Sequence, residues 1–200
     1  MKLKILFLLI HFISIAQANV SEQFTTLRLN AHRIQEQDFN NFYLLLSNPK
    51  VGETIIGGVH TFDETKDFMS RLLNRWSTYG YGSYMFYDKL GNFIGRAGLH
   101  PFSIEDQEEI ILSYALMPEY WNKGFATEMA ESLIKIGFEQ LEFESIVCFT
   151  QPTNKASRRV IEKSGFKHEK TILEKTGPFK DIELIFYRLT KNMHNQNVEN

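Results

Sequence analysis

The stretch that decides the fold is "LMPEYWNKGFATEMA", Leu116 to Ala130. It closes a strand pattern and opens a helix within a few residues. Pro118 stops the ladder, because a proline has no N–H to donate to it. From Ala126 onward, Met129, Ala130, Leu133, Ile134 and Phe138 recur at the i, i+3, i+4 spacing of an amphipathic helix. Gly124 sits at the join, where it permits positive φ and a close approach to the backbone. The first amides of such a helix point outward at the positive end of its dipole, and Lys123 adds a charge at the mouth. That makes an anion site, for which phosphate is the natural guest. The turn has neither the paired glycines of a dinucleotide fingerprint nor the Lys-Ser/Thr of a P-loop.

Upstream, "EEIILSYALMP" reads as a strand antiparallel to a hairpin, "SYMFYD" and "NFIGRAGLHPF", whose turn is set by Gly91-Asn92. Earlier still, "TLRLNAHRI", Thr26 to Ile34, alternates Leu27, Leu29 and Ala31 against Arg28, Asn30 and His32, as a half-buried strand does. Two helices follow it. The second opens with Thr61 and Glu64 in capping-box spacing and buries Phe68, Leu72 and Trp76. The Gly-rich loop between them, "VGETIIGGVH", reads as mobile. Downstream, "SIVCFT" is a short buried strand, "NKASRRVIEKSGF" a helix ending at Gly165, and "HEKTILEK" and "DIELIFYRL" are closing strands. The order predicts an α+β fold, a mixed sheet with helices on both faces.

At 200 residues and 43% hydrophobic, the chain holds one full core rather than two. A net charge of −2 with acids and bases interspersed provides no basic stripe, so nucleic acid is not an expected partner. Cys148 is the single cysteine, and no His, Cys and carboxylate cluster has metal-ligand spacing, so neither a disulfide nor a metal site is expected. Cys148 itself reads as a small buried hydrophobe. Residues 1–18 stand apart: Lys2 and Lys4, an apolar run from Ile5 to Ile15, then Ala16-Gln17-Ala18. This is either a secretory signal cleaved before Asn19 or an extension from a start codon placed too early, with Val20 the natural start. The run is too short for a membrane span. The domain is expected over residues 20–190, with 191–200 a frayed polar tail.

"EYWNKGFATEM", followed some thirty residues later by "NKASRRVIEKSGFKHE", resembles the GNAT superfamily of acetyl-CoA-dependent N-acetyltransferases. The likeness extends to "TLRL", to "YGYGSYMFYDKLGNFIGRAGL" and to "FDETKDFM", and is nearest to the branch that acetylates ribosomal-protein N-termini and its small-amine relatives. It implies an αβα layered fold with a central, mostly antiparallel sheet splayed at the coenzyme site. The family's pyrophosphate loop falls on Trp121, Asn122, Lys123, Gly124, Phe125 and Ala126, whose amides would hold the diphosphate. Asn122 stands where a Gly is frequent, and tolerates left-handed geometry. Leu116 and Met117 would present backbone groups to the pantetheine arm. Asn154 and Ser157 match the family's N-x-x-S, where their side chains would meet the arm or the thioester end; helix capping accounts for Asn154 equally well. An intracellular donor implies a cytoplasmic protein, whereas a true signal would export it.

Acetyl transfer needs a neutral amine, a polarised thioester carbonyl and a proton for the leaving thiolate. Neutralising a lysine-like amine at pH 7.4 costs about 4 kcal/mol, whereas an α-amine costs well under 1 kcal/mol. In "EEIILSYALM", Glu109, Ile111, Ser113, Ala115 and Met117 share one strand face. Glu109 is the expected base, directly or through water, with a plain solvated charge as its alternative. Relatives in this branch often carry their glutamate where Ile111 stands. The position at which many members carry a proton-donating Tyr is Ile161, leaving Ser157, Tyr114 or Tyr120 to supply that hydrogen bond. The acceptor pocket is expected from Val51 to His60, His100 to Phe102 and the region of Pro178 and Phe179, with His60 and His100 as bases or polar lining. Two functions fit: acetylation of a primary amine, on a protein N-terminus or small molecule, and a non-catalytic acyl-CoA-binding module.

Overall fold

In the computed structural model, which describes residues 20–105, 107–174 and 180–199, Leu116 ends a strand and Phe125 begins a helix. The elements run β1 (Gln23–Thr25), β2 (Leu29–Arg33), α1 (Phe39–Leu46), α2 (Pro49–Gly52), α3 (Phe62–Tyr79), β3 (Ser83–Asp88), β4 (Phe93–Ile104), β5 (Gln107–Leu116), α4 (Phe125–Lys135), β6 (Ser145–Thr150), α5 (Lys155–Lys163), β7 (Lys167–Leu173), β8 (Glu183–Thr190) and α6 (Lys191–Glu199). Among the described residues the strands form one eight-stranded sheet in the order β1-β2-β3-β4-β5-β6-β8-β7. Every neighbouring pair is antiparallel except β5 and β6, which run parallel because α4 carries the chain across between them.

That parallel pair is barely a pair. β5 and β6 are in register only at Ile111 and Val147. β4 and β5, by contrast, pair along their length from Gly95–Leu116 to Ile104–Gln107. Met117 donates its N–H to the Ile94 carbonyl at 2.9 Å. Since main-chain groups alternate sides along a strand, Met117, Ala115, Ser113 and Ile111 spend theirs on β4, while Leu112, Tyr114 and Leu116 face β6. The Leu112 carbonyl accepts the Cys148 thiol at 3.2 Å and the Leu116 carbonyl accepts the Trp121 indole at 2.9 Å. Beyond Ile111, Tyr114 faces the opening.

Alternation also places the layers. Leu112 and Leu116 are buried in the main core with Met129 and Leu133 of α4. Ala115 and Met117 are buried with Leu45 of α1 and Val51 of α2. Successive side chains leave opposite faces of a strand, so α1 and α4 cover opposite faces of the sheet. The Thr61–Glu64 capping box opens α3, and Gly80 at φ 74° closes it. After α4 the chain passes through a π-helical turn, Ile136–Gln140, where a Cβ on Gly137 would stand 2.7 Å from Ile146.

Three expectations differ from the structure. The strand read over Thr26–Ile34 begins only at Leu29, because Thr26 and Arg28 form a turn held by Glu128 of α4. The loop 51–60 is tied down: the His60 N–H donates to the Leu46 carbonyl and the Asn154 amide to the Thr54 carbonyl, both at 3.0 Å. Part of the tail read as frayed is the helix α6, with Met193 packed on the core and His194 beside Phe138 at 5.2 Å between ring centres. Val20 is buried and the Tyr84 hydroxyl donates to the Ser21 carbonyl, whereas residues 1–19, and with them the signal-like segment, lie outside the described residues. Among the described residues no helix is long and apolar enough to cross a membrane.

Candidate active site

Where β5 and β6 part, a cavity of about 450 Å³ runs between the sheet, α3, α5 and the 51–60 loop. The turn at 121–124 lies at the C-terminal end of β5. Asn122 and Gly124 both take positive φ, 59° and 79°, the left-handed geometry that turns successive amides toward one side. The first main-chain bond of α4 runs from the Glu128 N–H to the Gly124 carbonyl at 3.1 Å, so the amides from Gly124 to Thr127 have no partner within the helix. The turn is fastened from outside. Arg28 donates through Nη1 to the Lys123 carbonyl at 2.8 Å and through Nε to Glu128 at 2.6 Å, and its guanidinium lies 4.3 Å from the Phe125 ring centre. Glu128 also accepts from Thr26 and from the Arg28 main chain. Burial alone would raise the Glu128 carboxyl, but these hydrogen bonds outweigh it and hold the group below its ordinary range.

Trp121, Asn122, Lys123, Gly124, Phe125 and Ala126 are thus brought together as one cradle, with Leu116 at its edge. Met117 differs: its N–H goes to Ile94 and its carbonyl accepts the Tyr120 N–H, so its main chain is used within the protein. Across the opening, the Asn154 carbonyl oxygen caps α5 by accepting from the Ser157 N–H at 3.0 Å, while its amide reaches Thr54. Both ends of the Asn154 side chain therefore serve the fold. Ser157 lines the cavity, and its hydroxyl meets that of Tyr114 at 3.0 Å, joining β5 to α5 across the gap. Burial pushes the Tyr114 phenol well above its ordinary pKa, so it is a protonated donor throughout the working range. Tyr120, in contrast, stacks its edge on Phe125, outside the cavity lining.

Glu109 is not brought to the cavity. Arg188 of β8 grips its carboxylate at 2.9 and 2.6 Å and Glu169 at 2.5 Å. The Glu109 hydrogen bonds are the main reason the Arg188 guanidinium holds its proton more tightly than usual. A carboxylate held by a bidentate partner suits a structural anchor, and Glu109, expected as the base, is absent from the cavity lining. His60 and His100 do line the cavity, and the Nδ1 of each is buried without a hydrogen-bond partner. His100 lies directly across the ladder from Ile111, is 8% exposed, and is held far below its ordinary pKa by burial and by Arg75 and Arg96, hence neutral. Cys148, buried and hydrogen-bonded to Leu112, has its thiol pushed upward by burial, as suits a packing residue. Pro178 and Phe179 lie outside the described residues.

Sequence reasoning missed Arg71, Arg75 and Arg96, all in the cavity lining. Their signal was available. Phe68, Arg71 and Arg75 share a helix face, and Arg96, His100 and Phe102 alternate onto one strand face. It also missed Arg28 and Glu128, whose pairing spans 100 residues and has no local sign.

The chain matches the acetyltransferase (GNAT) domain family over residues 28–167, and it belongs to that family. It is an N-acetyltransferase by that membership. A curated relative, the protein YkkB of Bacillus subtilis, is 28% identical over 155 residues, covering 77% of this chain and 90% of its own. Among solved structures, an acetyltransferase from Agrobacterium tumefaciens superposes with a TM-score of 0.72 at 22% identity, over 85% of this chain and 95% of that one. A ribosomal L7/L12 alpha-N-protein acetyltransferase in complex with coenzyme A superposes with a TM-score of 0.71 at 14% identity, over 84% and 98%. At these identities the solved structures speak for the fold.

Proposed function

We propose that the protein acetylates a primary amine with acetyl-CoA, by direct attack of the amine on the thioester in the cavity behind the β5–β6 opening. The observation that carries this reading is the Tyr114–Ser157 hydroxyl pair, which spans the β5–β6 opening and lines the cavity behind it. The amides following Gly124 and the charge of Lys123 suit the diphosphate. The arm then lies along β5 as an added strand, bonding to the main chain of Tyr114 and Leu116 and not to that of Met117. The thioester supplies the acyl group. Tyr114, held protonated and hydrogen-bonded to Ser157, donates a hydrogen bond that stabilises the leaving thiolate, which takes its proton from solvent, and so stands in for the tyrosine absent at Ile161. His100 takes the amine proton from across the ladder at Ile111. The demand on it is small, because three guanidiniums in one cavity disfavour an ammonium beside them and the amine reacts from its neutral form. Use of an intracellular donor assigns the enzyme to the cytoplasm.

The test is release of free thiol from acetyl-CoA with a panel of amines: free amino acids, peptides with Ser, Thr or Ala N-termini, and polyamines. Amine-dependent release supports the enzyme. Tight acetyl-CoA binding with no release from any amine leaves the acyl-CoA-binding module.

A further inference from the structure

The cavity has a chemistry that amine transfer alone does not require. Arg71, Arg75, Arg96, His60 and His100 line it, and among the described residues no Asp or Glu does. None of the three arginines forms an ion pair among the described residues, neither the buried Arg96, the half-buried Arg75 nor the exposed Arg71, whereas the buried Asp38 meets His32 and the half-buried Glu109 and Glu128 meet arginines. Arg96 is the deepest, 8% exposed, with Nη1 donating to Ser113 at 2.8 Å and Nε buried with no acceptor. The Phe68 ring lies 5.5 Å from the Arg96 guanidinium and 5.4 Å from that of Arg71, within cation–π range of both. Arg75 is half-buried on the same helix face as Arg71.

A guanidinium out of water without a counter-anion is unfavourable, and neighbouring cations make it more so. Burial and the charge of Arg75 bring Arg96 down to about 10, and burial and Arg71 lower Arg75. The cluster is separate from the diphosphate cradle, since no residue from 121 to 126 lines the cavity. We infer that the acceptor is a small amine that also bears an oxyanion, a carboxylate or a phosphate, and that this anion seats on Arg75 and Arg96 with Arg71 at the mouth. This rests on the acetyl-transfer reading and narrows it. Planar guanidiniums match both oxyanions through paired N–H donors, and the cavity volume is that of a small-molecule site. The same charges repel polyamines and other multiply cationic acceptors. Burial is the main cause of the lowered His100, and seating the anion offsets the smaller contribution of Arg75 and Arg96.

Matched acceptors test this: glycine against glycinamide, phosphoethanolamine against ethanolamine, and spermidine. The oxyanion member of a pair should show kcat/KM higher by about tenfold or more, the worth of one charge-assisted hydrogen bond. Whether glycine or phosphoethanolamine leads distinguishes carboxylate from phosphate. Arg75→Gln should shrink that preference about tenfold, and Arg75→Lys, which keeps the charge but loses the paired donors, should shrink it by a smaller factor, with melting curves showing both variants folded. Glycinamide, ethanolamine or spermidine used as well as the anionic amines would overturn the inference and leave acetyl transfer standing. An acidic peptide preferred over every free amine would overturn the small-acceptor assignment. No release from any amine would remove the acetyl-transfer reading itself.

Discussion

In the reading proposed above, the two ends of the site recognise anions by different means. At the turn from β5 to α4 the proposed recognition is main-chain: two left-handed residues and a helix N-terminus orient amides within six consecutive residues, braced by Arg28 and Glu128. In the cavity the recognition is by side chains, with guanidiniums from α3 and β4 and imidazoles from the 51–60 loop and β4. A main-chain cradle suits a group common to every turnover. A side-chain cluster can be re-specified by substitutions, and so belongs to the variable acceptor. The contrast predicts that damage to the first region removes coenzyme binding outright, whereas damage to the second alters rate and choice.

The largest effect is expected at Gly124→Asp. It puts a carboxylate at the proposed diphosphate site and an L side chain at φ 79°, with Arg28 Nη2 3.4 Å from the new Cβ. Calorimetry with CoA should show affinity lower by about 100-fold or more, with the circular dichroism of the fold retained. Affinity within a few-fold of the parent would take the turn out of the site. Next, Tyr114→Phe keeps the ring and removes the hydroxyl that meets Ser157. Turnover should fall about 100-fold with little change in CoA affinity, the usual range for one donor aimed at developing negative charge. A fall in affinity with turnover unchanged would make Tyr114 a clamp on α5.

Glu109→Gln should act on stability instead. Removing one carboxylate from the Arg188 pair costs about 1–3 kcal/mol, read by denaturant unfolding, and turnover should change little at any pH. A loss of turnover concentrated at low pH would restore Glu109 as a base. The smallest effect concerns pH. His100 titrates well below 6.5 when folded and near 6.5 when unfolded, so the unfolded chain binds the extra proton first. Stability is therefore full above 6.5 and declines as pH falls below it toward the folded value. The less buried His60, also lowered by burial, adds in the same direction. His100→Gln should flatten that decline in unfolding curves taken between about pH 8 and pH 5. An unchanged slope would mean that His100 is not held neutral.

The contrast between the regions also governs what the sequence made legible. The turn, the Thr61–Glu64 cap, the Gly91 hairpin and the antiparallel β4–β5 pair were readable because each rests on short-range pattern. Strand alternation correctly set Glu109 on the face of Ile111 and Ser113, yet could not reveal Arg188, which arrives from 79 residues away. The Tyr114–Ser157 link, 43 residues apart, and the Arg28–Glu128 brace were hidden for the same reason. Arg71, Arg75 and Arg96 were a different kind of omission, since their faces followed from periodicity and only their convergence required the fold.

The most direct measurement is a crystal structure with a thioether analogue of acetyl-CoA and glycine or phosphoethanolamine. The account predicts the diphosphate on the amides after Gly124, the arm beside Tyr114 and Leu116, the thioether sulfur within hydrogen-bonding reach of the Tyr114 hydroxyl, and the acceptor's oxyanion on Arg75 and Arg96. A sulfur far from Tyr114, or an acceptor bound outside the arginine-lined cavity, would contradict it.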